Sequence, residues 1–366
     1  SLVMILKLPM LFHGSLGCLR DADNETSGGT TTGGTTAEVE WSRPIVGGSI
    51  PTPIPAAAAA VYDSTGGRMV MTWGSSGTTI LGDVFELQLL STKASWAYLK
   101  SSGESPTPKA GHTAVYDAGS ARILIFGGYD EQGTTGKVLE LGNFSTDPDG
   151  NISGAWRELI PFEKPPARSG HTAVFDDSNN RMLVFGGQNV VDGTTTYSNE
   201  VWELSFALGG DGIWKNISPV DPPPARAGHS AVLDPVNHRM VIFGGFDGAN
   251  YLSDVYELSW AGGTESWKRM TPSGLPPTAR SGQTAVYDSD KRWMVVFGGS
   301  DGAHRNDSAA LDLASGDGAW IGLSPGTEIP SARSRHIAIY DSVGQRMIVY
   351  GGDGDATGEV YQLKIN

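Results

Sequence analysis

His112-Thr-Ala-Val-Tyr-Asp117 decides the fold of this chain once it is read beside its copies. These are His171-Thr-Ala-Val-Phe-Asp176, His229-Ser-Ala-Val-Leu-Asp234, Gln283-Thr-Ala-Val-Tyr-Asp288 and His336-Ile-Ala-Ile-Tyr-Asp341, with a weaker one at Ala58-Ala-Ala-Val-Tyr-Asp63. Successive copies start 54, 59, 58, 54 and 53 residues apart. A steady period of this size means one supersecondary unit repeated, each burying its faces against its neighbours.

Every copy continues alike. Five residues after the Asp stands Arg68, Arg122, Arg181, Arg239 or Arg346, with Trp293 in unit five. A short apolar run then ends in an aromatic and two glycines: Phe126-Gly-Gly128, Phe185-Gly-Gly187, Phe243-Gly-Gly245, Phe297-Gly-Gly299 and Tyr350-Gly-Gly352. Unit one is degenerate there, reading Thr72-Trp73-Gly74. Runs this short, bounded by Asp, Ser, Asn and Gly, read as two strands of a hairpin. A third strand alternates in character, as in Val84-Phe-Glu-Leu87, Val201-Trp-Glu-Leu204 or Ala310-Leu-Asp-Leu313. A fourth is announced by Trp96, Trp156, Trp214, Trp267 or Trp320.

Four strands per unit, a period near fifty and the Phe-Gly-Gly phrase resemble the kelch repeat, a β-propeller blade of the galactose oxidase-like central domain type. The resemblance covers residues 37–366 and implies an all-β fold: a six-bladed β-propeller of four-stranded antiparallel blades. Six hairpins are followed by only five tryptophan strands, and the missing tryptophan stands at Glu38-Val-Glu-Trp41. An N-terminal strand around Glu38–Val46 is therefore expected to complete the C-terminal blade, Ser331–Asn366, and leave no open seam.

Fifty Gly, 21 Pro and only 18% charged residues suit a loop-rich β fold of this length. A net charge of −14 argues against nucleic acid as a partner, and a monomer is expected. Residues 1–36 differ from the rest: Leu2–Leu16 is mostly apolar, Cys18 is the chain's one cysteine, and Asp21–Thr36 is a polar, Gly/Thr-rich tether. The arrangement resembles a bacterial lipoprotein leader, although Ser15 stands where such leaders carry Leu. It implies an exported protein, secreted, periplasmic or held by a lipid anchor at Cys18. One cysteine allows no internal disulfide.

In the kelch family the inter-blade loops and the loops after the double glycine share the face around the central channel. The inter-blade loops here end in a cation: Lys109, Arg168, Arg226, Arg280 and Arg333, with Pro55 at the matching place in unit one. In some kelch adaptors of ubiquitin ligases arginines at this position grip acidic side chains, and converging donors suit a carboxylate or phosphate. A purely structural pairing is equally open, because the post-glycine loops carry Asp130, Asp247, Asp301 and Asp353 or Asp355. Unit three offers Gln188-Asn189 instead, so Arg168 is expected to be the least neutralised cation. Tyr129 and Phe246 complete the candidate ligand-binding set.

His112, His171, His229 and His336 come from equivalent places in different units and do not converge as a metal set. They are expected to pack at the start of the innermost strands with a ring nitrogen bonded to a loop carbonyl. The Asp-x4-Arg pairs read as cross-hairpin pairing on the opposite face. No cofactor is implied: copper-radical oxidases of this fold need a cysteine cross-linked to tyrosine within the propeller, and the iron motif of plant specifier proteins is missing. The reading is a non-catalytic binding module for a protein, peptide or glycan with acidic groups. The alternative is a carbohydrate-active or sialic-acid-mutarotase-like enzyme.

Overall fold

The computed structural model describes residues 35–365 apart from 91, 92, 149, 150, 325 and 327. The leader-like segment, Cys18 and nearly all of the tether lie outside the described residues. Among the described residues every regular element is a strand, arranged as a propeller-like set of small sheets.

Unit three shows the plan. Thr172–Asp176, Arg181–Phe185, Val201–Ser205 and Ile213–Asn216 pair in that order, each antiparallel to the next. Unit four repeats it with Ser230–Asp234, Arg239–Phe246, Tyr251–Ser259 and Ser266–Met270. Units one and two each gain a fifth strand parallel to the outermost, Ile45–Gly48 beside Lys93–Tyr98 and Lys100–Ser102 beside Ile152–Leu159. The first strands lie side by side in a closed cycle, from Ala59–Asp63 through each later unit to Ile337–Asp341 and back to Ala59–Asp63.

The two ends of the described chain share one sheet. Thr36–Ser42 runs antiparallel to Tyr361–Ile365, with Trp41 opposite Leu363, and its first residues run parallel to Ala319–Ser324 of unit five. The expected closing strand is thus shorter than Glu38–Val46. Pro44 has no N–H to continue a ladder, and Ile45–Gly48 turns away to unit one. The third strand of unit five is likewise two residues earlier than the sequence suggests: Ser308 faces Phe297 as Val255 faces Phe243.

The core lies between units, because each sheet is apolar on both faces. The tryptophan of one unit's outer strand packs on the aromatic that ends the preceding unit's second strand. Trp214 lies 5.0 Å from Phe126, Trp267 4.8 Å from Phe185, Trp320 5.1 Å from Phe243, Trp41 4.9 Å from Phe297 and Trp96 4.8 Å from Tyr350, between ring centroids. Burying ~150–250 Å² each, such rings contribute on the order of 4–6 kcal/mol apiece before entropy is subtracted.

At the other end of the units the Asp-x4-Arg pairs form as read. Asp117 pairs with Arg122 at 2.8 Å, and the same guanidinium reaches Glu140 on the third strand. It also lies over the Phe206 ring of the next unit, 4.2 Å from its centroid.

Candidate functional site

The candidate site is the face where inter-unit loops meet the loops after the double glycine. Residues following the cations pair through their backbones with the post-glycine residues: Ala110 with Tyr129, Ser169 with Gln188, Ala227 with Phe246. The two loop sets therefore share one face. At its centre six residues close a hydrogen-bonded collar. The N–H of Gly111 donates to the Ala57 carbonyl, Gly170 to Gly111, Gly228 to Gly170, Gly282 to Gly228, Arg335 to Gly282 and Ala57 to Arg335, all at 2.7–2.9 Å. All six have positive φ, from 52° to 67°, which favours glycine and is strained at Ala57 and Arg335.

The double glycine makes room for the histidines. A Cβ on Gly127 would lie 2.7 Å from Cε1 of His171, and one on Gly128 would lie 2.8 Å from the Cβ of His112. Each imidazole is thereby wedged between units. His171 Nε2 bonds Thr113 Oγ1, His229 bonds Thr172 and His336 bonds Thr284, at 2.7–2.8 Å. The partner is a neighbouring unit's hydroxyl rather than the expected loop carbonyl, because the first strands pack closely enough for direct contact. Burial pushes His112, His229 and His336 down to about 3 and His171 well below its usual range. No cluster of potential metal ligands occurs among the described residues.

The five cations do not line an open rim. Lys109, Arg168, Arg226, Arg280 and Arg333 are all at most 2% exposed. Each arginine donates to the carbonyl of its own unit's first glycine, Gly186, Gly244, Gly298 or Gly351. Each also reaches a carboxylate: Arg226 holds both oxygens of Asp254 at 2.5 and 3.0 Å, Arg280 both of Asp307 at 2.8 Å, and Arg333 pairs with Asp355 at 3.0 Å. Arg168, expected to be the least neutralised, pairs with Glu200 at 2.7 Å. Its partner sits just before the third strand, not in the post-glycine loop. Asp130 and Asp247 instead accept N–H groups of their own turns, and Asp301 pairs with Arg305. Only Asp355 was among the acids foreseen as partners.

Lys109 is the exception. Its Nζ donates to the Thr107 carbonyl at 2.7 Å and lies 5.5 Å from the centroid of the Trp73 ring, and among the described residues no carboxylate comes within 4 Å of it. The residue that precedes the third-strand partner of the Phe-Gly-Gly aromatic, acidic in units three to five, is Lys137 in unit two. Burial, with a smaller push from Lys137 and against the opposing pull of Asp130 and Glu158, leaves the Lys109 ammonium below its ordinary range.

The half-buried residues above this layer are Tyr129, Gln188, Asn189 and Phe246. The Asn189 side-chain oxygen accepts from the Thr134 hydroxyl of unit two. Phe246 joins Tyr197 and Tyr251, with centroids 6.0 and 5.2 Å away. Tyr197 and the exposed cation Arg335, paired to Asp353, were not singled out from sequence. The collar's left-handed glycines were the available signal for Arg335, which stands in the same column. Along the axis runs a cavity of about 300 Å³, lined by first-strand side chains such as Ala114, Val115, Phe175, Leu233 and Tyr287.

Repeated antiparallel sheets around an axis, with double glycines gripping inter-unit histidines, define a kelch-type propeller. Residues 152–352 match the KLHDC2/KLHL20/DRC7 Kelch-repeats domain, more than half of the chain, so the chain belongs to the kelch-repeat family. It is 34% identical over 274 residues to host cell factor 2 of Homo sapiens, covering 69% of this chain and 32% of that protein. It is 27% identical over 310 residues to a leucine-zipper-like transcriptional regulator 1 homolog of Drosophila melanogaster, covering 80% and 29%. Tip elongation aberrant protein 1 of Schizosaccharomyces pombe is 31% identical over 337 residues, covering 88% and 27%. The chain thus spans about a third or less of these relatives' length. The solved "Structure of YjhT" superposes with a TM-score of 0.60 at 16% identity, covering 85% of this chain and 94% of that one, which bears on the fold alone.

Proposed function

We propose that this chain is a non-catalytic interaction module, a six-bladed kelch propeller that binds a partner with acidic groups through its loop face. The blade count rests on the closed cycle of first strands and on reading the eight-stranded sheet as two blades sharing Thr36–Ser42. The observation that carries the function is the construction of that face. A rigid collar and a buried layer of ion pairs hold half-buried aromatic and amide side chains, Tyr129, Gln188, Asn189 and Phe246, towards solvent. Aromatic and amide groups on a fixed frame make contact at low entropic cost.

Arg168, Arg226, Arg280 and Arg333 then act as the frame beneath the ligand rather than as its contacts. The carbohydrate-active alternative would need a carboxylate or histidine facing an enclosed cavity; the axial cavity is lined by apolar side chains and tyrosines. Peptide and glycan arrays probed with the full chain test the proposal. Tyr251→Glu on the loop face should abolish the bound signals, and Val343→Glu, on an exposed turn at the opposite end, should leave them intact. Signals lost with Val343→Glu and kept with Tyr251→Glu would overturn it.

A further inference from the structure

Comparing the units among themselves isolates one unfilled place. In units three, four and five a buried arginine meets the carboxylate of the residue that precedes the third-strand partner of the Phe-Gly-Gly aromatic, Glu200, Asp254 or Asp307. Those carboxylates are not sealed in. The side chains of Glu200 and Asp307 are 37% and 53% exposed, so the acid approaches the buried cation from the solvent side. Unit two has the buried cation, Lys109, but Lys137 stands in the acid's position. Lys137 is itself exposed and holds Glu158 at 2.8 Å. Asp130 and Glu158 act on Lys109 only from beyond ion-pair distance.

We infer that Lys109 and Lys137 form a carboxylate-binding site, filled by an aspartate or glutamate side chain of a bound peptide, which supplies in trans the acid that units three to five carry internally. This rests on the interaction-module reading and names the partner chemistry at one point of its face. A buried ammonium with one hydrogen bond has two donors left to give, and a buried cation without a counter-charge is costly. An incoming carboxylate meets both conditions and, between two lysines, adds charge-assisted bonds. The chain's net charge of −14 repels an acidic peptide only at long range, and that repulsion is screened beyond about 8 Å at physiological salt. Contact with a buried ammonium is not screened in that way.

The test selects peptides from a random 12-residue display library against the full chain and measures each synthetic peptide by fluorescence anisotropy. Peptides rich in Asp or Glu should emerge. Replacing their critical Glu by Gln, or making Lys109→Met in the protein, should weaken binding about tenfold or more. Lys137→Glu should do the same while keeping the melting temperature, because it gives unit two the internal acid of its neighbours; Lys137→Gln serves if that variant misfolds. Lys215→Glu, on the exposed outer strand of unit three, makes the same change in net charge and should leave affinity unchanged. Selected peptides that contact the loop face, competing with one another and sensitive to Tyr251→Glu, yet indifferent to Lys109→Met and Lys137→Glu, would overturn this inference and leave the interaction reading standing. Peptides indifferent to Tyr251→Glu as well would overturn both. Displacement of the acidic peptides by millimolar glucuronate but retention of binding by their Gln versions would move the site to sugar acids and contradict the peptide assignment.

Discussion

Trp73 stacks on Trp156 with ring centroids 5.2 Å apart and planes 16° from parallel. Unit one lacks Phe-Gly-Gly, yet it still supplies the aromatic on which its neighbour's tryptophan packs. The exchange is a coupled one. Thr72 occupies the place that Phe126 holds in unit two, and its Oγ1 bonds His112 Nε2 at 2.8 Å. Opposite it stands Ala59, where the later unit has Thr113. The hydroxyl has crossed to the second strand, and the aromatic has moved one residue on. Trp73→Ala should therefore cost about 3–5 kcal/mol, as for other buried aromatics. Thr72→Val should cost about 1–3 kcal/mol by leaving a buried histidine unsatisfied. Urea unfolding checks both, and a near-neutral Trp73→Ala would show that unit one is simply degenerate.

The buried histidines make stability depend on pH with a known sign. Their folded values lie below the ordinary 6.5, to about 3 for His112, His229 and His336. Between about pH 6.5 and 3 the unfolded chain binds more protons than the folded one. Stability is thus fully present above 6.5 and falls as the pH drops through that window, by up to about 1.4 kcal/mol per pH unit for each histidine. Gln283 fills the equivalent place in unit five, donating to the Phe243 carbonyl at 2.8 Å. His229→Gln should therefore fold and flatten the acid limb relative to the parent, and a parallel limb would contradict the assignment.

Arg226 and Lys109 occupy equivalent places and should respond differently to the same change. Arg226→Met strands Asp254, whose side chain is 15% exposed, and the Gly244 carbonyl, and should cost about 3–5 kcal/mol. Lys109→Met removes an ammonium with no carboxylate in contact and should change stability by less than about 1 kcal/mol, in either direction. Chemical denaturation of the two variants measures the contrast. Equal losses would mean that Lys109 has a counter-charge in solution.

The closing strand makes a prediction of its own. Deleting the chain through Ser42 removes Trp41, which is 2% exposed, and opens the edge of Tyr361–Ile365. The melting temperature should fall by ten degrees or more, on the order expected when several kcal/mol are lost from a domain of this size, or cooperativity should disappear. An unchanged melting curve would remove Thr36–Ser42 from the fold.

Much of this was legible because the repeats compare themselves. The column of tryptophans located Trp41 as the missing sixth, and the Asp-x4-Arg spacing matched a hairpin whose Asp and Arg face each other across a four-residue turn. The cation partners were not legible from proximity in sequence. The acid after the double glycine, Asp247, looked nearer to Arg226 than Asp254 did, and unit three, with no acid there, gave no hint of Glu200. Turn acids are consumed by their own N–H groups, as Asp247 is by Ala249 and Asn250, whereas an acid next to the third-strand partner of the aromatic is carried back over the loop by strand pairing. The signal was present in the residue one before the valine that opens the alternating third-strand phrase, Glu200 and Asp254 against Lys137. Burial of the arginines was likewise hidden, because a Pro-rich loop ending in a cation reads the same whether it points to solvent or to a glycine carbonyl.

The most direct test of the account is hydrogen–deuterium exchange of the full chain with and without a selected acidic peptide. Binding at the loop face should slow exchange in 105–111 and 129–137, and in the adjoining hairpin 188–197. Protection confined to the turns at the opposite end, 64–67, 118–121 and 177–180, would contradict it.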